Sequence, residues 1–183
     1  MKKFIFRQKF FIAVILLLLV ATAQVSEAKT TKAGNIASLF ARVNPSLGAK
    51  RAKDYAAVVV KAGEKFKQDP YAIAAIIVHE STVNHKAVSK GGDYGLMQIR
   101  WKVHAAAIKK RFPKVKKAND LFDVRTNVLY GTEIFSDCMS KSGNNLRSGI
   151  LRYSAGNTKL ADKVIATINE LNGGKKVKAG KKK

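Results

Sequence analysis

Residues 69 to 81 read DPYAIAAIIVHES, and no other stretch of the chain restricts the fold as sharply. Asp69 is a favoured N-cap and Pro70 a favoured first helical residue, because the N–H that proline lacks is one the first turn cannot use. A helix is therefore predicted from Pro70 through Ser81. Within it Ile73, Ile76 or Ile77, and Glu80 recur at i, i+3 or i+4, and i+7, so Glu80 shares the apolar side that faces the core. A carboxylate there is costly unless it borders a cleft, is hydrogen-bonded or stays protonated. Glu80 also stands near the helix C-terminus, where the backbone dipole is negative. Desolvation and dipole both disfavour the ionised form, so its pKa is expected above the free value of about 4.3. A carboxyl that keeps its proton near neutral pH suits general acid catalysis. A buried structural hydrogen-bond network is the alternative use of the same group.

The neighbouring histidines raise a metal reading that the spacing rejects. A zinc-protease helix needs His-Glu-x-x-His, because a four-residue step stacks both imidazoles on one face. Position 83 is Val, and His85 lies six residues after His79. No metal and no cofactor are expected. His79 is predicted at a wall or surface, with His85 and His104 exposed.

On either side of this helix the chain is again helical in pattern. Ile36, Leu39, Phe40 and Val43 form an apolar cluster at helical spacing that Pro45 ends, giving an N-terminal helical extension over 29–50. Tyr55, Val58, Val59, Ala62 and Phe66 predict a second amphipathic helix over about 53–67. Residues 84–99 lack a helical period and carry Gly91, Gly92 and Gly95, which predicts a loop with room for a small hairpin. Helices resume over about 101–112, 124–140, 146–153 and 158–171, with Asp123, Asn145 and Asn157 as caps and Gly143 and Gly173 as stops. The fold class is mainly α, in a single domain over 51–172.

The two ends differ from this body. Lys2, Lys3, Arg7 and Lys9 precede an apolar run from Phe10 to Val20 and the small residues Ala21 and Ala23, the layout of a secretory signal peptide over 1–23. Cleavage is expected after Ala23 or after Ala28; an uncleaved anchor is the alternative, with a run short of the roughly 20 apolar residues a span needs. No cysteine lies near either point, which argues against a lipid anchor. The single cysteine, Cys138, is expected as a buried thiol in a helix. Lys and Arg number 35 against 12 Asp and Glu, for a net charge of +23, and loss of the signal's four cations leaves +19. So basic a chain is drawn to polyanions. Export directs that attraction to anionic envelope polymers or membrane surfaces, through a basic tail over 173–183 expected to be disordered. Nucleic acid is a weaker reading, because no DNA- or RNA-reading motif accompanies the lysines.

Three segments carry a family resemblance. Glu80-Ser81, then Gly95-Leu96-Met97-Gln98-Ile99, then Tyr153-Ser154-Ala155-Gly156, in that order and among helices, resemble the soluble lytic transglycosylase (SLT) domain. Asn127 and Gly131 resemble that family's Asn-x-x-x-Gly helix, and the similarity spans about 50–172. The resemblance implies a lysozyme-like helical domain, of the goose-type-lysozyme superfamily, with the glycine loop in its cleft. It implies Glu80 as the single catalytic acid/base, Ser81 as an orienting neighbour, and the loop from Gly95 to Ile99 as a wall of a glycan cleft. Met97 would give apolar contact, Gln98 would hydrogen-bond sugar or backbone, and the Tyr153 hydroxyl would hold Glu80 or substrate. Ser154 departs from the family's usual Asn, and a hydroxyl cannot replicate an amide's paired donor and acceptor. The implied partner is peptidoglycan and the implied reaction its non-hydrolytic cleavage in the periplasm, cell envelope or outside the cell, by a protein expected to be a monomer.

Asp93 opens a second reading. It stands where animal-type lysozymes place a second carboxylate, and with Glu80 about 5 to 5.5 Å away a retaining hydrolysis becomes possible. An Asp-turn that stabilises the loop is the alternative. Trp101 and Tyr94 could stack on sugar or pack in the core. A non-catalytic, cationic envelope-binding protein that keeps the fold is the remaining class.

Overall fold

The computed structural model describes residues 31–175. The signal peptide expected over 1–23, its alternative cut after Ala28 and the part of the expected basic tail beyond Lys175 lie outside the described residues. Helix α1 covers 31–43, and a 3-10 turn at Pro45–Leu47 leads into α2, Gly48–Phe66. Then come α3 (Pro70–Ser81), a hairpin of β1 (Asp93–Tyr94) and β2 (Ile99–Arg100), α4 (Trp101–Arg111), a 3-10 turn at Ala118–Phe122, α5 (Val124–Ser140), α6 (Leu146–Tyr153) and α7 (Thr158–Leu171). Among the described residues no helix is long and apolar enough to cross a membrane.

Local capping chemistry fixes most of these starts. Asp69 accepts a hydrogen bond from Tyr71 N, Asp123 from Thr126 N, Asn145 from Ser148 N and Asn157 from Leu160 N. Helix α2 begins about five residues before the position its apolar period indicates. Its first turn, Gly48 to Arg51, is exposed and polar and carries no period to read.

Helix α3 is the centre of the molecule. Every residue from Tyr71 to Val78 is buried, and Ile73 through Ile77 have no exposure at all. The apolar side read from the sequence is thus too narrow: α3 is buried all round, between α2 and α7, as a helix hydrophobic on every face must be. The end of α2 folds tightly onto its start, where a Cβ on Gly63 would lie 2.8 Å from Gln68 O and 2.9 Å from Pro70 Cγ. Helix α1 is part of this same core rather than an appendage. Ile36 and Phe40 are fully buried in it, and Asn35 Nδ2 donates to Tyr71 OH at 2.8 Å.

A second, smaller core of Ile99, Ile108, Val115, Leu121 and Tyr130 lies under α4 and the hairpin. The hairpin pairs Asp93 with Arg100 and Tyr94 with Ile99, antiparallel. Cys138 is buried, and burial raises its thiol pKa.

Candidate active site

Glu80 is the penultimate residue of α3, so the tightly packed helix delivers a carboxyl to the edge of the core. The chain must then turn at once. Thr82 and Val83, both β-branched, adopt left-handed φ of 48° and 61°. Such residues cost of order 1–3 kcal/mol each and persist where their surroundings over-determine them. Here Val83 is fully buried, and its carbonyl accepts a hydrogen bond from Asn44 Nδ2 at 3.3 Å.

The carboxyl faces a groove of about 310 Å3 whose walls include Asp93, Gln98, Arg100, His104, Tyr153 and Ser154. No hydrogen bond reaches the Glu80 carboxyl from the described residues. Burial, and secondarily the charge of Asp93, push its pKa from 4.5 up to about 7. Asp93 goes the other way. Arg100 grips it at both oxygens, Nε to Oδ1 at 2.7 Å and Nη2 to Oδ2 at 3.0 Å, and Ser89 Oγ donates to Oδ2 at 2.7 Å. These bonds hold Asp93 below the usual carboxylate range, so it stays ionised while Glu80 keeps a proton. Two carboxyls driven apart by their surroundings are what an acid and a fixed charge require. Arg100 and Ser89 escaped the sequence reading, because their role depends on the hairpin register.

The glycine loop is braced from behind. Asn127, 1% exposed on α5, accepts Met97 N through Oδ1 at 2.8 Å and donates Nδ2 to Tyr94 O at 2.8 Å and Leu121 O at 2.9 Å. One amide side chain thereby satisfies three buried backbone groups. Gly95, at φ +77°, has no room for a side chain: a Cβ would lie 2.2 Å from Asn127 Nδ2. One turn later on α5, a Cβ on Gly131 would stand 2.6 Å from Met97 Sδ. Asn127 and Gly131, four residues apart, are therefore one docking face for the loop.

This bracing changes the part assigned to several residues. Met97 is fully buried, packed on Gly131 and Thr132, and is corrected from a sugar contact to a core residue. Gly95 is corrected likewise, since its tight backbone seats Asn127. Ser81 is buried and its hydroxyl donates to Ile77 O at 3.0 Å, so it sits behind the groove rather than in it. Gln98 does line the groove, and its Nε2 donates to Gly95 O at 2.8 Å and Ala87 O at 3.3 Å. Tyr153 lines it too, but its hydroxyl donates to Met97 O at 2.7 Å, leaving only acceptor capacity toward the groove. Burial and then the Glu80 charge raise its pKa well above 10, so that donation persists at all working pH. Ser154 Oγ turns back to Ile150 O at 2.9 Å.

The three histidines diverge. His79 Nε2 meets Thr167 Oγ1 at 2.9 Å, His85 packs edge-on against Tyr55, and His104 meets Tyr130. His85 and His104 are half-buried rather than exposed as the sequence suggested, and burial lowers the pKa of both. Among the described residues no three His, Cys, Asp or Glu side chains converge as metal ligands. Trp101 packs in the smaller core with Lys109 Nζ 5.5 Å above its ring.

A helical body with one short hairpin is the mainly-α architecture of the lysozyme-like class. Within that class the chain belongs to the transglycosylase SLT domain family, whose model matches residues 57–171, more than half of the sequence. Two relatives in Klebsiella pneumoniae strains, each an endo-type membrane-bound lytic murein transglycosylase A, are 44% identical over 57 residues, which is 31% of this chain and 28% of theirs. The chain thus aligns with under a third of their length. Among solved structures, the lytic transglycosylase Slt of Pseudomonas aeruginosa, an inactive glutamate-to-glutamine mutant, matches with a TM-score of 0.50 and 22% identity over 64% of this chain and 21% of that one. That likeness is one of fold.

Proposed function

We propose that this chain is an exported peptidoglycan lytic transglycosylase with Glu80 as its single acid/base. The bond cut is the β-1,4 link between N-acetylmuramic acid and N-acetylglucosamine. Glu80 gives its proton to the departing glycosidic oxygen as the bond to C1 breaks. The muramic N-acetyl oxygen bonds to C1 in its place, a substrate-assisted step that needs no second protein carboxylate. The Glu80 carboxylate then takes the proton from the 6-hydroxyl, O6 bonds to C1, and the N-acetyl oxygen leaves. The product is a 1,6-anhydro sugar, no water is consumed, and the proton is back on Glu80.

The observation that carries this reading is the unpaired, desolvated carboxyl of Glu80, which keeps a proton near neutral pH at the wall of the groove. Family membership supports the substrate class, and the Pseudomonas Slt is inactive with a glutamate changed to glutamine. Asp93 favours the lyase over the hydrolase reading, because Arg100 and Ser89 already engage both its oxygens. Its fixed charge instead supports the high pKa of Glu80 and opposes loss of the proton. Tyr153 acts as a positioning residue, tying the end of α6 to the loop that carries Gln98. Peptidoglycan strands are the substrate and the envelope the site of action, with the basic tail adhering to anionic polymers.

The test is the mass of the sugars released from purified sacculi. Ends lighter than reducing muramic acid by one water are expected, and Glu80→Gln abolishes their release while binding to sacculi persists. Reducing ends throughout mark a hydrolase, and unchanged sacculus clearing by Glu80→Gln marks a protein in which Glu80 does no chemistry.

A further inference from the structure

From Tyr94 to Asn119 the chain carries eight Lys or Arg and no Asp or Glu. This span takes in β2, α4 and the segment that leads to the 3-10 turn at Ala118–Phe122. Its two arginines already have partners: Arg100 grips Asp93, and Arg111 Nε lies 3.4 Å from Glu133 Oε2. The other six cations, Lys102, Lys109, Lys110, Lys114, Lys116 and Lys117, are all exposed and make no ion pair among the described residues. Asp120, the next acid along the chain, accepts the backbone N–H groups of Lys116 and Lys117 at 2.7 and 3.0 Å, and its charge offsets part of theirs.

Position round the helix, at about 100° per residue, sorts α4 into three sides. Trp101, Ala105 and the fully buried Ile108 turn to the smaller core. His104, Ala107 and Arg111 turn toward α5. Lys102, Ala106 and Lys109 hold the remaining, outer side, all exposed, with Val103 and Lys110 along its edge. That side stands about a quarter-turn or more from His104 and Ala107, so a partner lying on it leaves the Glu80 groove open.

The chemistry of this side selects its partner. Lysine is a compact charge on a flexible stem and lacks the planar fork with which arginine fixes one phosphate, so a lysine cluster suits a diffuse layer of negative charge. No aromatic residue or leucine stands among the outer residues, so contact is by charge and not by insertion. The outer side of a helix is also convex, whereas a single polyanionic strand is tracked by a groove. Clusters of about four to eight basic residues on a surface helix suit anionic lipid headgroups.

We propose that the outer side of α4, with the lysines that follow it, docks this chain on an anionic phospholipid bilayer while the groove stays open alongside. The docking face is separate from the chemistry at Glu80 and holds whichever bond that residue cuts.

The assay is partitioning of the full chain onto sedimented vesicles, either phosphatidylcholine alone or phosphatidylcholine with phosphatidylglycerol, at about 0.1 M salt, where exposed charges more than about 10 Å apart are screened. One variant carries Lys102→Gln, Lys109→Gln and Lys114→Gln. A second, of equal net charge, carries Lys53→Gln and Lys61→Gln on α2 and Lys67→Gln just after it; all six positions are exposed, and the tail is common to both. A lysine beside an anionic bilayer is worth about a factor of five in partitioning, so the α4 variant is expected to bind anionic vesicles about a hundredfold more weakly than wild type, and the α2 variant within about threefold. Neutral vesicles should retain none of the proteins. Glu80→Gln should partition as wild type does, so docking and catalysis are read separately. Equal weakening in the two lysine variants, which assigns binding to net charge or to the tail, overturns the docking face, as does retention on neutral vesicles. Binding of soluble polyphosphate that the α4 variant weakens, with vesicle binding unchanged, assigns the face to a polymer and overturns it too.

Discussion

Replacing Glu80 by Gln should make the protein more stable at alkaline pH and no more stable at acid pH. In the folded chain the carboxyl titrates at about 7 instead of 4.5, chiefly through burial. Below pH 4.5 the folded and unfolded chains both hold the proton, and Glu80 contributes no difference between them. As pH rises past 4.5 the unfolded chain ionises and the folded one resists until about 7, so stability falls across that window and the full penalty is present above it. At about 1.4 kcal/mol per tenfold, the interval corresponds to about 3 kcal/mol. Glu80 retains some solvent contact, which reduces the expected effect to about 2 kcal/mol. Gln has the same shape and no charge at any pH, so the variant escapes the penalty. Thermal melts of both proteins at pH 4 and pH 8 provide the assay. The other ionisable groups are common to both and cancel in the difference. The melting temperatures should nearly coincide at pH 4 and differ by about 4–8 °C at pH 8, the variant higher. A gap independent of pH, or a variant that melts lower at pH 8, would refute the account of Glu80 as a desolvated acid.

Asp93→Asn removes the charge that adds to burial in raising Glu80, so the Glu80 pKa falls and the alkaline limb of the kcat/KM profile moves to lower pH. Cleavage persists in this variant; a loss as complete as that of Glu80→Gln would instead identify Asp93 as a second catalytic carboxylate. Asn127→Ala strips one backbone donor and two backbone acceptors of their partner inside the core and should cost about 3–5 kcal/mol in urea denaturation. Activity falls as well, because Met97, which receives the Tyr153 hydroxyl, loses its anchor.

Local chemistry was legible and long-range pairing was not. Asp69, Asp123, Asn145 and Asn157 could be read as caps because each bonds a backbone N–H two or three residues away. Glu80 could be read because its helical position alone puts it beside apolar residues near a C-terminus. Met97 could not, since an apolar loop residue facing sugar and one facing protein look alike until Asn127 and Gly131, thirty or more residues on, are known to receive the loop. Arg100 was hidden for the same kind of reason: its grip on Asp93 is a cross-strand pair that exists only in this register. Val83, in a left-handed conformation, was invisible because valine's own preference opposes it.

Several features that oppose stability gather near Glu80. A desolvated carboxyl at Glu80 and left-handed Gln98 and Ala155 line one groove, and two strained β-branched residues, Thr82 and Val83, follow within three positions of that carboxyl. Each is a local penalty of order 1–3 kcal/mol, and none could persist on a loosely held helix. Helix α3 is held on every face, with five consecutive residues from Ile73 to Ile77 wholly buried, so moving Glu80 into water would mean exposing that core at about 25 cal/mol per Å2 of apolar surface. The burial of α3 and the raised pKa of Glu80 are therefore one design: the apolar packing that would be excessive for an ordinary surface helix is what keeps an unsatisfied acid at the groove.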